Sequence, residues 1–244
     1  ATLAASLDEG SPIGSLDRAD PHPRLRWIFF DGAAMRMGWR LLDDPTSDRP
    51  AALWLKYSRH VPGSWDLVGT ADDRGTDQVF TWDPVADTYE QLTTQGSHKG
   101  SVFLFNAPEL GGEQLFFATV SDTLGAPVQM GVFRRDGARW VRVKLLTAPP
   151  GFPYVVSPEP LITPTGSYVL FLASQRPMNE DNGPATVWLA SLDPTSTFAR
   201  RVSALDLMIR KDPEPYQGGD RPWAYYTEVA PDGLRRVWRA ETGL

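Results

Sequence analysis

The chain has 244 residues, 41% hydrophobic and 22% charged, enough to bury a full core and outside the range of disordered chains. A net charge of −6 excludes an electrostatic nucleic-acid binder, because no basic field gathers phosphates. With no cysteine there is no disulfide, thiolate nucleophile or cysteine-ligated zinc, and no apolar run approaches the roughly 20 residues of a membrane span.

In chain order, "ATLAAS" at the start suits a mature end left by signal peptidase, so a secreted or periplasmic location is expected. "ADPHPRLRWIFFDG" (19–32) is a proline-rich opening followed by a strand. "GWRLLDDP" (38–45), "AALWLKYS" (51–58), "DQVFTWDP" (77–84) and "TYEQLT" (88–93) read as four more strands. The acidic, turn-rich "GTADDRGTD" (69–77) is a hairpin loop or, through Asp72, Asp73 and Asp77, a possible structural calcium site. It lacks the ligand order of an EF-hand.

The grammar then repeats. "SVFLFNAPEL" (101–110), "EQLFFATV" (113–120), "VQMGVFRR" (128–135) and "RWVRVKLL" (139–146) are one set, with "RDGAR" as a hairpin turn. "PYVVSPEPL" (153–161), "SYVLFLAS" (167–174), "ATVWLASL" (185–192) and "FARRVS" (198–203) are the next. "VSALDLMIRK" (202–211) is a candidate for a turn or two of helix. The last set, "DPEPY" (212–216), "PWAYYTEV" (222–229) and "LRRVWRAET" (234–242), stops one strand short.

Four strands per ~50 residues with a final set left incomplete predict an all-β chain. The expected fold is a single-domain β-propeller of five blades, each of four antiparallel strands, over residues 1–244. A strand within residues 1–17 is expected to close the ring and remove the exposed edges. Four full blades with an appendage, or a β-sandwich, are the alternatives. The stretch from Pro21 to Pro45 is short for four strands.

Three Pro-Glu pairs stand before strand-like runs: "NAPEL" (106–110), "SPEPL" (157–161) and "DPEPY" (212–216). As one repeated position at the start of a blade, they bring Glu109, Glu159 and Glu214 together at one end of the channel. Converging carboxylates hold a cation, share a proton or meet a polar ligand. The alternative is punctuation, with proline stiffening the turn and glutamate capping backbone N–H groups. His22, inside "DPHP", is a candidate to orient a substrate. His60 and His98 lie in loops, and no histidine pair has zinc-ligand spacing. Trp65, after the Pro-Gly turn of "PGSWDL", is a candidate platform for a sugar ring, whereas tryptophans inside strands are expected to pack between blades. No phosphate-binding glycine loop and no Gly-x-Ser-x-Gly elbow is present.

"RADPHPRLRWIFFDG", "NAPELGGEQLFFATVSD…MGVFRR" and "SPEPLITPTGSYVLFLAS…TVWLAS" resemble the five-bladed furanosidase propellers of the glycoside hydrolase family 43 superfamily. The resemblance implies inverting hydrolysis of furanosides or xylosides, with Asp20 as base and Glu109 or Glu159 as acid. Asp44 is the nearest counterpart of a pKa-tuning aspartate, and Asp44, His22, Trp65 and Glu214 would then contact substrate. The partner would be an oligosaccharide or polysaccharide, and no cofactor would be required. "QVFTWDPVADTYEQLTTQG" and "APDG" are similar to TolB-type propellers, which implies instead a non-catalytic propeller that binds a glycan or a protein.

Overall fold

The structure, a computed structural model, describes residues 3–7, 25–31, 36–41, 52–57, 60–61, 67–73, 76–83, 88–94, 96–123, 126–177, 183–218 and 221–244. These fall into two compact units, residues 1–95 and 96–244. Each is built from antiparallel sheets whose strands follow one another in sequence.

The first unit holds two sheets. One contains β1 (Leu3–Leu7), β2 (Leu25–Asp31) and β3 (Arg36–Leu41); the other contains β4 (Ala52–Tyr57), β5 (Leu67–Asp73), β6 (Thr76–Asp83) and β7 (Thr88–Gln91). Two readings from sequence are corrected here. "GWRLLDDP" (38–45), read as a strand grouped with "AALWLKYS", "DQVFTWDP" and "TYEQLT", overlaps the strand Arg36–Leu41, which instead pairs with β2 and completes the first sheet. Residues 69–73, the first part of the stretch 69–77 expected as a hairpin loop, belong to the strand Leu67–Asp73 held between β4 and β6. Val68, Gly69 and Thr70 are buried there, and an inner strand covered on both sides accepts small residues that carry little strand signal. Within the stretch expected to close the ring, Leu3–Leu7 pairs with Leu25–Phe29. Residues 8–17 lie outside the described residues.

The second unit holds three sheets. The first contains β8 (His98–Ala107), β9 (Glu113–Ser121), β10 (Gln129–Asp136) and β11 (Arg139–Leu146). The second contains β12 (Tyr154–Thr163), β13 (Gly166–Ser174), β14 (Ala185–Ser191) and β15 (Ala199–Arg201). The third contains β16 (Ile209–Gly218), β17 (Arg221–Val229) and β18 (Arg235–Glu241). The predicted strands match these closely, but no helix forms over 202–211. Asp206 instead accepts the Met208 N–H through its side chain and binds Arg210, and such local side-chain bonds compete with helical ones.

The sheets of this unit pack face to face. Side chains alternate along a strand, so β13 sends Val169, Phe171 and Ala173 into one core with Phe103, Phe105, Phe117, Met130 and Val132. Its other face sends Leu170 and Leu172 into a second core with Val187, Leu189, Ala224 and Tyr226. Burial on both sides explains why "SYVLFLAS" is nearly all apolar, and each such large side chain contributes about 1.5–3 kcal/mol.

The opening strand of each of these sheets carries the same irregularity. Between Gly100 and Phe103, Val156 and Glu159, and Lys211 and Glu214, two residues oppose one on the partner strand. The first extra residue is Ser101, Ser157 or Asp212, with φ of 42°, 47° and 49°. A β-bulge therefore recurs at one position, bending each opening strand and raising its twist. Because serine is strained in the left-handed region, Ser157→Gly is expected to raise stability by roughly 0.5–1 kcal/mol. Ser157→Val should lower it, and Asp212→Gly should gain less, since aspartate tolerates this conformation better. Urea unfolding of the three variants checks this.

Candidate functional site

The bulge shows what the Pro-Glu pairs are. In "SPEP" and "DPEP", Pro158 and Pro213 are the second bulge residues, unpaired on the ladder, where a missing N–H costs nothing. Pro160 and Pro215 follow on strands that lie at the edge of their sheets, where the absent N–H can face outward. β8, β12 and β16 run side by side in that order without joining into one sheet. Beyond the isolated bridges at Tyr154 and Ile209, proline disfavours a continuous ladder along the outer sides of β12 and β16.

Glu159 and Glu214 thus occupy equivalent positions directly after a bulge. Glu109 does not. It lies beyond the end of β8, in a 3-10 turn Pro108–Leu110 that closes on Gly111 at φ 70°. The position in β8 that matches Glu159 is Phe103. The three glutamates are therefore not equivalent positions: Glu109 stands six residues past Phe103, the match of Glu159 and Glu214, and a dipeptide match carries no register.

Glu109 has a different role. Its Oε1 accepts a short hydrogen bond from the buried Ser167 hydroxyl at the start of β13, while its Oε2 is buried without a hydrogen-bond partner. This pins the β8–β9 turn to the neighbouring sheet. A second pin crosses the same pair of sheets: the Lys144 ammonium donates to the carbonyls of Ser191, Asp193 and Ser196 at 2.7, 2.8 and 2.7 Å. Burial presses the pKa of Lys144 down, and the Asp193 charge opposes that. Both pins serve packing. Removing Glu109 or Ser167 (Glu109→Ala, Ser167→Ala) is expected to cost roughly 1–3 kcal/mol each. The double variant should cost little more than either, a coupling that urea denaturation of the four proteins measures.

Glu159 is half-buried. Its ladder partner Leu170 belongs to the core shared with the last sheet, so Glu159 points to that side. Glu214 is exposed and stands opposite Tyr225 on the face that alternates with the buried Ala224 and Tyr226. That face is aromatic. Tyr216, 57% exposed, pairs with Trp223 and stands edge-on to Tyr225 with ring centres 6.0 Å apart. The Arg239 guanidinium lies 4.2 Å over the Trp223 ring. A carboxylate, a guanidinium, the exposed Tyr216 and the half-buried Trp223 and Tyr225 therefore share one surface of the sheet β16–β18.

The opposite face of this sheet holds a charged node that sequence patterning missed. Arg210, buried in β16, donates to both Asp206 oxygens at 2.7 and 2.9 Å, to Glu228 at 3.0 Å and to the Ala185 carbonyl at 3.0 Å. Its arrangement joins two sheets and depends on contacts from residues 185 to 228, which local spacing does not reveal. The Arg210 hydrogen bond holds the Asp206 carboxyl below the usual carboxylate range. A depressed folded pKa means the stabilisation is present above the unfolded value, near pH 4, and is lost as pH falls through the folded one. The stability gap between wild type and Asp206→Asn should be constant from pH 7 to about 5 and shrink below about 4. Urea midpoints across pH test this.

Asp20, His22, Asp44 and Trp65 lie outside the described residues. Asp72 stands opposite Asp77 and Asp73 opposite Thr76 in the β5–β6 ladder. Among the described residues, no three His, Asp or Glu side chains gather as a metal ion requires. Nor does any described helix have the length and apolarity to cross a membrane.

No protein-family model and no curated protein matches the chain. Among solved structures it is similar to a sialidase of Trypanosoma rangeli, with a TM-score of 0.52 and 12% identity over 99% of this chain and 42% of the sialidase. A puromycin-hydrolyzing peptidase of Mycobacterium tuberculosis gives 0.51 and 13%, over 89% of this chain and 34% of the peptidase. The NanB sialidase of Streptococcus pneumoniae gives 0.51 and 10%, over 91% and 36%. The chain spans less than half the length of each. These neighbours are β-propeller-like. The fold is a β-propeller. At such identities the likeness speaks to fold alone, and it does not extend to the furanosidase group in particular. The sequential antiparallel sheets, packed face to face within the second unit, are the propeller's blades.

Proposed function

We propose that this is a carbohydrate-binding propeller whose ligand lies on the outer face of the sheet β16–β18. One observation carries the reading: Glu214, exposed after its bulge, shares that face with Tyr216, Trp223, Tyr225 and Arg239. Aromatic faces pack against the apolar C–H groups of a sugar ring. A carboxylate and a guanidinium accept from and donate to its hydroxyls, and ionised partners make the stronger hydrogen bonds. The ligand class is a neutral oligosaccharide or polysaccharide, no cofactor is needed, and a secreted or periplasmic setting fits such a ligand.

Inverting hydrolysis of furanosides or xylosides is the second reading. It is favoured by Glu159, a half-buried carboxyl set directly after the bulge of an opening strand. Asp20 would then be the base and Glu159 the acid, flanking the scissile bond at about 6.5–9.5 Å. Glu109, engaged by Ser167, is the weaker choice for the acid.

Calorimetry with arabino- and xylo-oligosaccharides tests binding, and reducing-end release in the same mixtures tests turnover. The expected result is binding by the wild type that Tyr216→Ala and Glu214→Gln each weaken about tenfold, a loss of roughly 1.4 kcal/mol. Turnover abolished by Asp20→Asn would establish the hydrolytic reading. Neither binding nor turnover on any of these sugars removes both.

A further inference from the structure

We infer that the glycan surface of the sheet β16–β18 receives a single sugar ring, stacked on Tyr216, and that Gly218 is the residue that positions this platform. The inference rests on the sugar-binding reading above and adds to it the size of the ligand and the residue that shapes its seat.

Residues two apart on a strand share a face, so Gly218 follows Tyr216 on the face that carries Glu214. A side chain at Gly218 would collide there. Its Cβ would stand 2.7 Å from both Cζ and the hydroxyl oxygen of Tyr216, and closer still to Cε1. The tyrosine ring therefore occupies the space of the missing side chain. Gly218 is not one of the glycines with a left-handed φ, so the backbone does not require it. A glycine also weakens a strand, and close approach of a neighbouring group is the usual reason to keep one.

The same pairing occurs at Gly131 with Phe133 and at Gly166 with Tyr168, where it serves packing. Phe133 is buried and stacks on Phe116, and Tyr168 is half-buried, edge-on to Phe198. Tyr216 differs from both, because its ring is held down at Gly218 and yet stays largely exposed.

The neighbouring rings limit the platform to one. Trp223, the cross-strand partner of Tyr216, is half-buried and lies under the Arg239 guanidinium. Tyr225, also half-buried, stands edge-on to Tyr216 and walls one side of it. One exposed aromatic ring accepts the C–H groups of one sugar ring. Glu214, two residues before Tyr216 on the same face, accepts from the hydroxyls of that sugar. A long glycan gripped along its length would need further exposed rings spaced along the surface.

The test is calorimetry of the full chain with the disaccharide and the hexasaccharide of the arabino and xylo series. Within the series that binds, the two lengths should have dissociation constants within about threefold of each other. Gly218→Ala should weaken the disaccharide about tenfold, and Gly218→Ala with Tyr216→Ala should bind no worse than Tyr216→Ala alone. In the ligand-free protein, the Gly218 Hα resonances should carry a ring-current displacement that Tyr216→Leu removes. The length series and the resonances need no change at Gly218, so they decide the matter even where Gly218→Ala does not fold. Absence of binding to any of these sugars would remove the glycan surface and this inference with it. Binding that tightens tenfold or more from disaccharide to hexasaccharide would overturn the single-ring seat while leaving the glycan surface in place. Unchanged binding by Gly218→Ala, additive losses in the double variant, or resonances that Tyr216→Leu does not move would overturn the role of Gly218.

Discussion

Sheet-against-sheet burial on both sides of β13 is the constraint on which the second unit rests. A strand covered on one face alternates apolar and polar residues, whereas Val169, Leu170, Phe171 and Leu172 are all buried because both faces have partners. Stacked sheets leave the opening strands β8, β12 and β16 side by side without a ladder between them, β12 and β16 making the isolated bridges Tyr154–Val128 and Ile209–Pro184. Strand edges set side by side zip together unless something prevents it. The bulges and prolines are that preventive device. A bulge bends each strand away from flat pairing, and Pro160 and Pro215 remove a donor that a continuous ladder would need.

Stacking also sets the terms for polar groups at the sheet margins. Where a hairpin turn meets the neighbouring sheet, backbone carbonyls lose water and require donors. Lys144 supplies three to the Ser191–Ser196 turn, and Ser167 supplies one to Glu109. Arg210 does the same between the last two sheets, where the Ala185 carbonyl and two carboxylates surround one guanidinium. A fork of fixed donors suits that junction better than a flexible ammonium, because its several bonds are pre-arranged. These contacts fix how adjacent sheets register, while the apolar cores supply the larger share of stabilisation.

Much of this fold was legible in the sequence because strand period and turn chemistry are local signals. The strands of the second unit follow from alternating or continuous apolar runs between glycine- and proline-rich turns. β5 escaped notice because Gly69, Thr70 and Ala71, with two following aspartates, resemble a turn, and its burial comes from neighbours on both sides. The Pro-Glu repeat misled for a related reason. Two residues match equally well in a turn and in a bulge, and only the pairing partners Leu170 and Tyr225 distinguish Glu159 and Glu214 from Glu109. A longer comparison, Ser-Pro-Glu-Pro against Asp-Pro-Glu-Pro, separates them from Asn-Ala-Pro-Glu without a structure. The Arg210 node had no comparable signal, since its partners are 4, 18 and 25 residues away and share no motif.

The distribution of aromatic burial gives the last sheet its separate character. Phe116 and Phe133 stack with ring centres 4.6 Å apart and are almost wholly buried, as core residues should be. Tyr216 and Trp223 pair across the first two strands of the last sheet, yet Tyr216 stays largely exposed and Trp223 is covered on one side by a guanidinium. Large aromatic side chains left on a strand surface contribute little to folding there, and leucine or threonine would fill the same positions with less exposed ring area. Tyrosine and tryptophan gain their advantage where an apolar face must also present a polar tip, which is the requirement of a wet, reversible contact. The proposed sugar surface rests on that choice of residues, together with Glu214 and Arg239 on the same face.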